Sequence, residues 1–218
     1  VYCNLLYETR NEALSAERAD MQLGYCAFCG HVYNYEFNPG LMDYTLNYEN
    51  SLHFSAHFQK YAENSAADLV KRYNLHSKDI VEIGCGDGDF LALLCRIGGN
   101  RGFGFDPSRV PDLDETGRDK RITFIRDYYS EKYSNYKADL VICRHVLEHI
   151  QNPRQFLKNV RSALKANTGA VQFFEVPNVL YTLKDLGIWD LIYEHCSYFS
   201  SASLRFLFQE AGFEVLRE

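Results

Sequence analysis

The spacing of apolar positions along the chain switches between two regimes. Over residues 51–74 apolar side chains recur at helical intervals (Phe54, Phe58, Tyr61, then Leu69, Val70 and Tyr73), which predicts an amphipathic helix packed on a sheet. Residues 79–83 then form a short apolar run, 84–88 a glycine-rich bend, and 89–94 an apolar helix. Further strand-like runs fall at 101–107, 122–125, 138–143 and 170–175. Strands alternating with helical segments predict an α/β fold built on a doubly wound, mostly parallel sheet. A last helix is expected over 201–211, opened by serines able to cap it and stopped by Gly212, with another strand beginning at 213–216.

The bend carries the first candidate chemistry. Its glycines are Gly84, Gly86 and Gly88, with Glu82 on the strand before them. A strand, glycine loop, helix, second strand and terminal acid is how α/β proteins hold adenosine-containing cofactors. A dinucleotide loop needs a small residue where Asp89 stands, and a carboxylate there would face a pyrophosphate. No Gly-Lys-Ser/Thr follows, so the bend is no Walker loop. Glu82, Asp87 and Asp89 make it acidic, suited to a ligand with cationic groups. The Glu82-x-Gly84-x-Gly86-x-Gly88 pattern resembles motif I of class I methyltransferases that use S-adenosylmethionine, whose fold is Rossmann-like. Asp106, ending the second strand, is placed to accept both ribose hydroxyls, although an acid before Pro107 also suits a turn. By the same resemblance Asp127, after the third strand, contacts the adenine amino group. Tyr128 and Tyr129 are candidates to wall the base.

The fourth strand runs into His145-x-x-Glu148-His149. That spacing matches a zinc-peptidase motif, which needs both histidines on one helical face and a third ligand elsewhere. Here the first histidine falls at a strand end and Pro153 soon restarts the chain, so a long helix is not expected. His145 is instead a candidate pocket residue beside the methyl donor, with Glu148 and His149 holding loops together. Beyond the fifth strand, Tyr193, Glu194, His195 and Tyr198 place several protic groups where open α/β sheets bind ligands. The same segment also reads as amphipathic, with Trp189, Ile192 and Phe199 packed down.

Three stretches together carry a closer likeness: 24–34 with the 44–51 region after it, the Glu82–Gly88 core, and Glu175-Val-Pro-Asn178 followed by residues 193–200. They resemble methyltransferases that bear a small cysteine-knuckle domain before the cofactor domain, a group that includes C-methyltransferases of nucleotide-linked deoxysugars. The resemblance implies that Glu194 and His195 contribute to the catalytic site, with His195 as general base and Glu194 orienting it or binding a hydroxyl. It also implies a tyrosine from the N-terminal segment, for which Tyr48 is the nearest match. Two features depart from the family. Its tyrosine three residues before the histidine is Ile192 here, with Tyr193 one place off. Its knuckle uses two C-x-x-C pairs, and this chain has only Cys26 and Cys29, supplemented by Cys3 and His31 without knuckle spacing. Structural zinc takes four ligands, so no metal site is expected unless a first pair lies upstream of Val1.

Size and charge agree with an enzyme of this kind. The chain has 218 residues, 46% hydrophobic, enough for one main domain with an appendage. We expect residues 1–50 to form a knuckle-like appendage and linker, rich in aromatics that can cover a substrate, and 51–218 the cofactor domain. The sheet is expected to be truncated at its C-terminal side, as in a fragment. A net charge of -6 argues against a broad nucleic-acid surface. No apolar run approaches the ~20 residues of a membrane span, and seven cysteines, several inside predicted core elements, suit a reducing cytoplasm. The expectation is a cytoplasmic S-adenosylmethionine-dependent methyltransferase of a small molecule. A non-catalytic cofactor-binding or assembly module is the alternative, and a nicotinamide oxidoreductase is disfavoured by Asp89.

Overall fold

The structure is a computed structural model that describes residues 6–42, 54–108, 119–164 and 169–218. In chain order the helices and strands are α1 (Arg10–Ser15), β1 (Leu23–Tyr25), β2 (Val32–Asn34), α2 (Ala56–Tyr73), β3 (Asp79–Ile83), α3 (Asp89–Gly98) and β4 (Arg101–Phe105). They continue with β5 (Ile122–Ile125), β6 (Leu140–Arg144), α4 (Pro153–Ala163), β7 (Val171–Glu175), α5 (Val179–Leu183), β8 (Ser197–Tyr198) and α6 (Ser201–Glu210). The chain divides into two compact units, one of residues 50–144 and 159–175, the other of 1–49, 145–158 and 176–218. The segment expected as an appendage thus lies in a unit that also takes in two later segments.

The first unit holds a five-stranded parallel sheet in the order β5-β4-β3-β6-β7. β3 is central, with Val81 paired to Phe103 on one side and to Val141 on the other. Ile80, Val81, Leu140, Val141 and Ile142 are fully buried, as parallel strands covered on both faces require. Strand order reverses beside β3, which puts the ligand-binding crevice of such a sheet outside the carboxyl ends of β3 and β6. α2 starts at Ser55, whose hydroxyl accepts the Phe58 N–H, and stops at Asn74, with φ of 50°. Its buried face is Ala62, Ala66, Leu69 and Val70, which join Phe90, Leu91, Leu94 and Cys95 of α3 in one core cluster. The aromatic face expected to pack is corrected here: Phe54 precedes the helix and is 82% exposed, and Tyr61 is 44% exposed. Alanines let two helices approach closely, and the larger rings are left outside.

The second unit contains an antiparallel sheet, β1-β2-β8. Tyr25 pairs with Val32, closing a hairpin around Cys26 and Cys29. Val32, Val179 and Tyr198 form its small core, with Met21 and Leu191 packed against it. α6 is capped reciprocally by Ser200 and Ser203. The strand expected over 213–216 is absent from the structure. Instead the Phe213 N–H donates to the Phe208 carbonyl at 3.0 Å, Gly212 has φ of 85°, and the two rings pack 5.6 Å apart. This is a Schellman-type cap with its hydrophobic contact, so Phe213 ends the helix rather than starting a strand. Among the described residues no helix is long and apolar enough to cross a membrane.

Leu94 is fully buried between α2 and the sheet. Leu94→Ala should lower unfolding free energy by ~2–5 kcal/mol in a denaturant titration. Phe54→Ala, at an exposed position, should leave it within ~0.5 kcal/mol; equal losses would show that the core is not as described.

Candidate functional site

The glycine loop leaves the carboxyl end of β3 and closes onto β4. The Gly84 N–H donates to the Phe105 carbonyl at 2.8 Å, and the Gly86 N–H donates to Asp106 Oδ2 at 2.9 Å. Gly88 has φ of 84°, and a Cβ there would lie 2.4 Å from the Phe124 ring, so only glycine fits. At Gly86 a Cβ would meet nothing within 4 Å; the backbone borders open space, as a cradle for a ligand should. Glu82 is 4% exposed, and its Oε2 has no hydrogen-bond partner among the described residues. Burial pushes its carboxyl up to about 8, against the pull of the Arg144 guanidinium. A buried carboxyl with an oxygen that no described residue bonds, beside an open glycine turn, fits a ligand that brings hydrogen-bond donors or a cation that draws off its proton.

Asp106 is buried, and its oxygens are already engaged: Oδ2 with Gly86, Oδ1 with the Ser108 N–H at 2.9 Å and hydroxyl at 2.6 Å. It serves as the turn acid; Oδ1 already accepts two bonds, and Oδ2, with one, keeps a lone pair for a further donor. Its own N–H donates to Ile125 of the next strand, so the ends of β4 and β5 are neighbours. Asp127, just beyond, accepts the Tyr128 N–H at 2.8 Å and the Tyr133 hydroxyl at 2.5 Å and pairs with Lys132. The lysine chiefly holds its carboxyl below the usual range. Tyr128 is 70% exposed, whereas Tyr129 is buried edge-on against Phe105. Glu82, the three glycines, Asp106, Asp127 and Tyr128 thus gather at one edge of the sheet. Tyr48 lies outside the described residues.

Sequence reasoning missed a polar group at the same edge. Arg144, the last residue of β6, donates from Nε to Glu175 Oε2 at 2.5 Å at the end of β7. The Tyr61 hydroxyl donates to Glu175 Oε1 at 2.8 Å. The Arg144 guanidinium carbon lies 4.0 Å from the Phe90 ring centroid, and its buried Nη2 has no hydrogen-bond partner among the described residues. The available signal was a charged residue closing each of two mostly apolar strands.

In the other unit a short helical turn (Leu147–His149) follows His145, whose φ is 54°. His145 Nδ1 lies 3.8 Å from Glu148 Oε1. The His149 and His195 rings meet edge to face, 4.9 Å apart. His149 Nδ1 donates to the Glu194 carbonyl at 3.0 Å, and His195 Nδ1 to the Asp190 carbonyl at 3.1 Å. Burial holds His195 down at about 4, helped by neighbouring His149 and opposed by Glu148. Burial likewise lowers His149 and raises Asp190. Glu148, Asn178, Thr182, Asp190, His195 and Tyr198 line a small hollow. Of the residues named from sequence, His145, Glu194 and His195 come together here, joined by Glu148 and His149. Tyr193 and Tyr198 are structural: their hydroxyls bond backbone of Glu36, Asn38 and Ile192. Trp189 is 78% exposed and Phe199 buried, so only part of the expected apolar face packs. Cys26 and Cys29 are free thiols; Cys26 is lowered mainly by a backbone N–H of Cys29.

Comparison with known proteins adds an independent line. A family model described as "Methyltransferase domain" matches residues 58–218. The C-methyltransferase NovU of Streptomyces niveus is 33% identical over 154 residues, covering 67% of this chain and 36% of that protein. A ubiquinone biosynthesis O-methyltransferase of Rickettsia canadensis is 29% identical over 107 residues, covering 47% of this chain and 45% of that protein. The chain therefore spans less than half the length of either relative. Among solved structures, a Burkholderia thailandensis 1,6-didemethyltoxoflavin-N1-methyltransferase with bound S-adenosylhomocysteine superposes with a TM-score of 0.52 at 13% identity. That match covers 76% of this chain and 73% of the other, a likeness of fold.

Glu82 generates a pH prediction. Its folded pKa, about 8, stands above the ordinary 4.5, so the native state holds a proton that the unfolded chain releases in that window. Stability therefore falls as pH rises from about 4.5 to 8, by on the order of 1.4 kcal/mol per tenfold change in proton affinity. Glu82→Gln should raise the melting temperature of the ligand-free protein more at pH 8.5 than at pH 5. A difference that does not change with pH would mean that Glu82 is ionised throughout.

Proposed function

The chain belongs to the methyltransferase-domain family, and on that premise we propose that it methylates a small-molecule acceptor at the expense of S-adenosylmethionine. The observation that carries the reading is the Gly84–Gly88 turn, tied to Asp106 through the Gly86 N–H and flanked by the orphaned Glu82 carboxyl. Glu82, Gly84, Gly86 and Gly88 would hold the amino-acid end of the cofactor. Asp106 would hold the ribose, and Asp127 with Tyr128 the adenine. The bound cofactor supplies an electrophilic methyl group on a sulfonium. The protein's contribution is to fix donor and acceptor and to exclude water.

On the acceptor side we assign His195, Glu194 and His145, with Tyr48 from the N-terminal segment. His195 Nδ1 bonds a carbonyl, so Nε2 keeps its lone pair and can take a proton from the acceptor. Burial opposes the charge His195 would gain, and Glu148 offsets it in part. Similarity to a C-methyltransferase supports a nucleotide-linked sugar methylated at carbon. Similarity to an O-methyltransferase favours a second reading, an oxygen acceptor. Six described cysteines are free thiols, which fits a reducing compartment such as the cytoplasm.

Titration calorimetry with S-adenosylhomocysteine should give one site, and Asp106→Ala should weaken it at least tenfold, ~1.4 kcal/mol. Absence of heat from a folded chain would end the reading. His195→Gln should keep this affinity and abolish release of S-adenosylhomocysteine in assays against pools of nucleotide-linked sugars and hydroxylated aromatics. Retained turnover would remove His195 from the chemistry. Cofactor binding with no product from any acceptor in the full-length protein would mark a non-catalytic module.

A further inference from the structure

We infer that Glu148, His149 and His195 form a binding site for one divalent transition-metal ion, with Zn²⁺ the best fit. One ligand atom from each lies within 4.8 Å of the other two. Both imidazoles are oriented for ligation. A carbonyl oxygen only accepts, so the Nδ1 contacts of His149 with Glu194 and of His195 with Asp190 place the ring proton on Nδ1. The lone pair of each neutral ring is then on Nε2. A ring steered by a carbonyl on its far nitrogen is how metal-binding histidines are set.

The third donor shows what is missing. Glu148 is 2% exposed, and its Oε2 has no hydrogen-bond partner among the described residues. If the cluster only tied loops together, that oxygen should accept a bond from an imidazole. The loop-tying bonds instead use other atoms: His149 Nδ1, and the Glu148 carbonyl, which accepts the Cys196 N–H at 3.0 Å. The groups brought together are two imidazoles and a carboxylate, a nitrogen and oxygen set suited to zinc rather than to the all-oxygen shells of Ca²⁺ or Mg²⁺. Bonds of about 2.0–2.1 Å in a tetrahedral shell put donors ~3.3 Å apart, so the three close by about 1.5 Å at most, within side-chain rotation. Three protein ligands leave a fourth position open.

This departs from the absence of metal expected from sequence. The zinc-peptidase spacing His145-x-x-Glu148-His149, set aside from sequence, would use both of its histidines, whereas the histidine that joins Glu148 and His149 is His195, far along the chain. If the methyltransferase reading holds, the open position takes a hydroxyl or carbonyl oxygen of the acceptor; the His195 Nε2 lone pair is then a ligand in the zinc-bound chain and is open to a proton only in the metal-free chain.

The test begins with a Cys26→Ser/Cys29→Ser chain, so that thiolates contribute nothing, stripped with EDTA and titrated with ZnCl₂ by calorimetry. One equivalent should bind. His149→Ala and the isosteric Glu148→Gln should each weaken it by roughly 100-fold or more, since even outer-shell partners of a metal are worth ~10–100-fold. No binding, or affinity unchanged in both variants, would overturn the site. Should the variants misfold, zinc-edge anomalous diffraction from the unsubstituted chain decides: a peak among the three side chains supports the site, and its absence there refutes it. S-adenosylhomocysteine titrated into the metal-free chain separates the two readings. Heat from that ligand without zinc binding removes the metal alone, and zinc binding without such heat removes the methyltransferase assignment alone.

Discussion

The sheet's binding edge depends on a single backbone constraint, the turn from β3 into α3. The chain must leave a fully buried strand, pass through Gly84, Gly86 and Gly88 in left-handed conformations, and enter a helix whose apolar face packs on α2. Two bonds fix it to the neighbouring strand, from Gly84 to Phe105 and from Gly86 to Asp106. Any side chain at Gly88 would push on Phe124 of β5, so the turn, β4 and β5 are placed together. The acids at those strand ends acquire their positions from this packing.

Much of this was legible because it rests on local rules. Glycines after a short apolar run, an acid at the next strand end, and a proline restarting the chain at Pro153 each act over a few residues, and β3, α3, β4, β5, β6 and β7 lie where the pattern put them. What was not legible depended on which face wins burial. Periodicity marks Phe54 and Tyr61 as well as Ala62 and Ala66, and only close helix–helix contact decides for the alanines. Phe213 was ambiguous in the same way: an apolar residue after a glycine can begin a strand or close a cap, and its contact with Phe208 decides for the cap. The pairing of Arg144 with Glu175 joins two strand ends far apart in sequence, and no spacing rule reveals it.

Buried charge is the feature that local rules handle worst and function needs most. Arg144 and Glu175 satisfy one another in part and are steadied by Tyr61 and Phe90. Taking either partner away would leave the other buried and unpaired, a loss of ~3–5 kcal/mol. Such a pair contributes little net stability over apolar residues of similar shape, so its presence at the carboxyl edge of the sheet points to positioning rather than to fold maintenance. Its Nη2 donor faces the same interpretation as the Glu82 Oε2: both are buried polar atoms without a hydrogen-bond partner among the described residues.

Among the described residues each unit thus contains a buried carboxyl with an oxygen that has no hydrogen-bond partner, Glu82 in one and Glu148 in the other. An unsatisfied buried polar group costs ~1–3 kcal/mol, against a total stability of ~5–15 kcal/mol for a domain. A fold tolerates such losses when a ligand offsets them, because binding to the native state alone adds RT ln(1 + [L]/Kd), about 2.7 kcal/mol at a hundredfold excess over Kd. The same atoms that weaken the ligand-free chain are therefore the ones through which ligands would stabilise it. At Glu82, whose carboxyl burial pushes up to about 8, an amide trades that coupling for a sturdier empty protein at high pH, and this is the physical reason to expect stability and binding to move in opposite directions there.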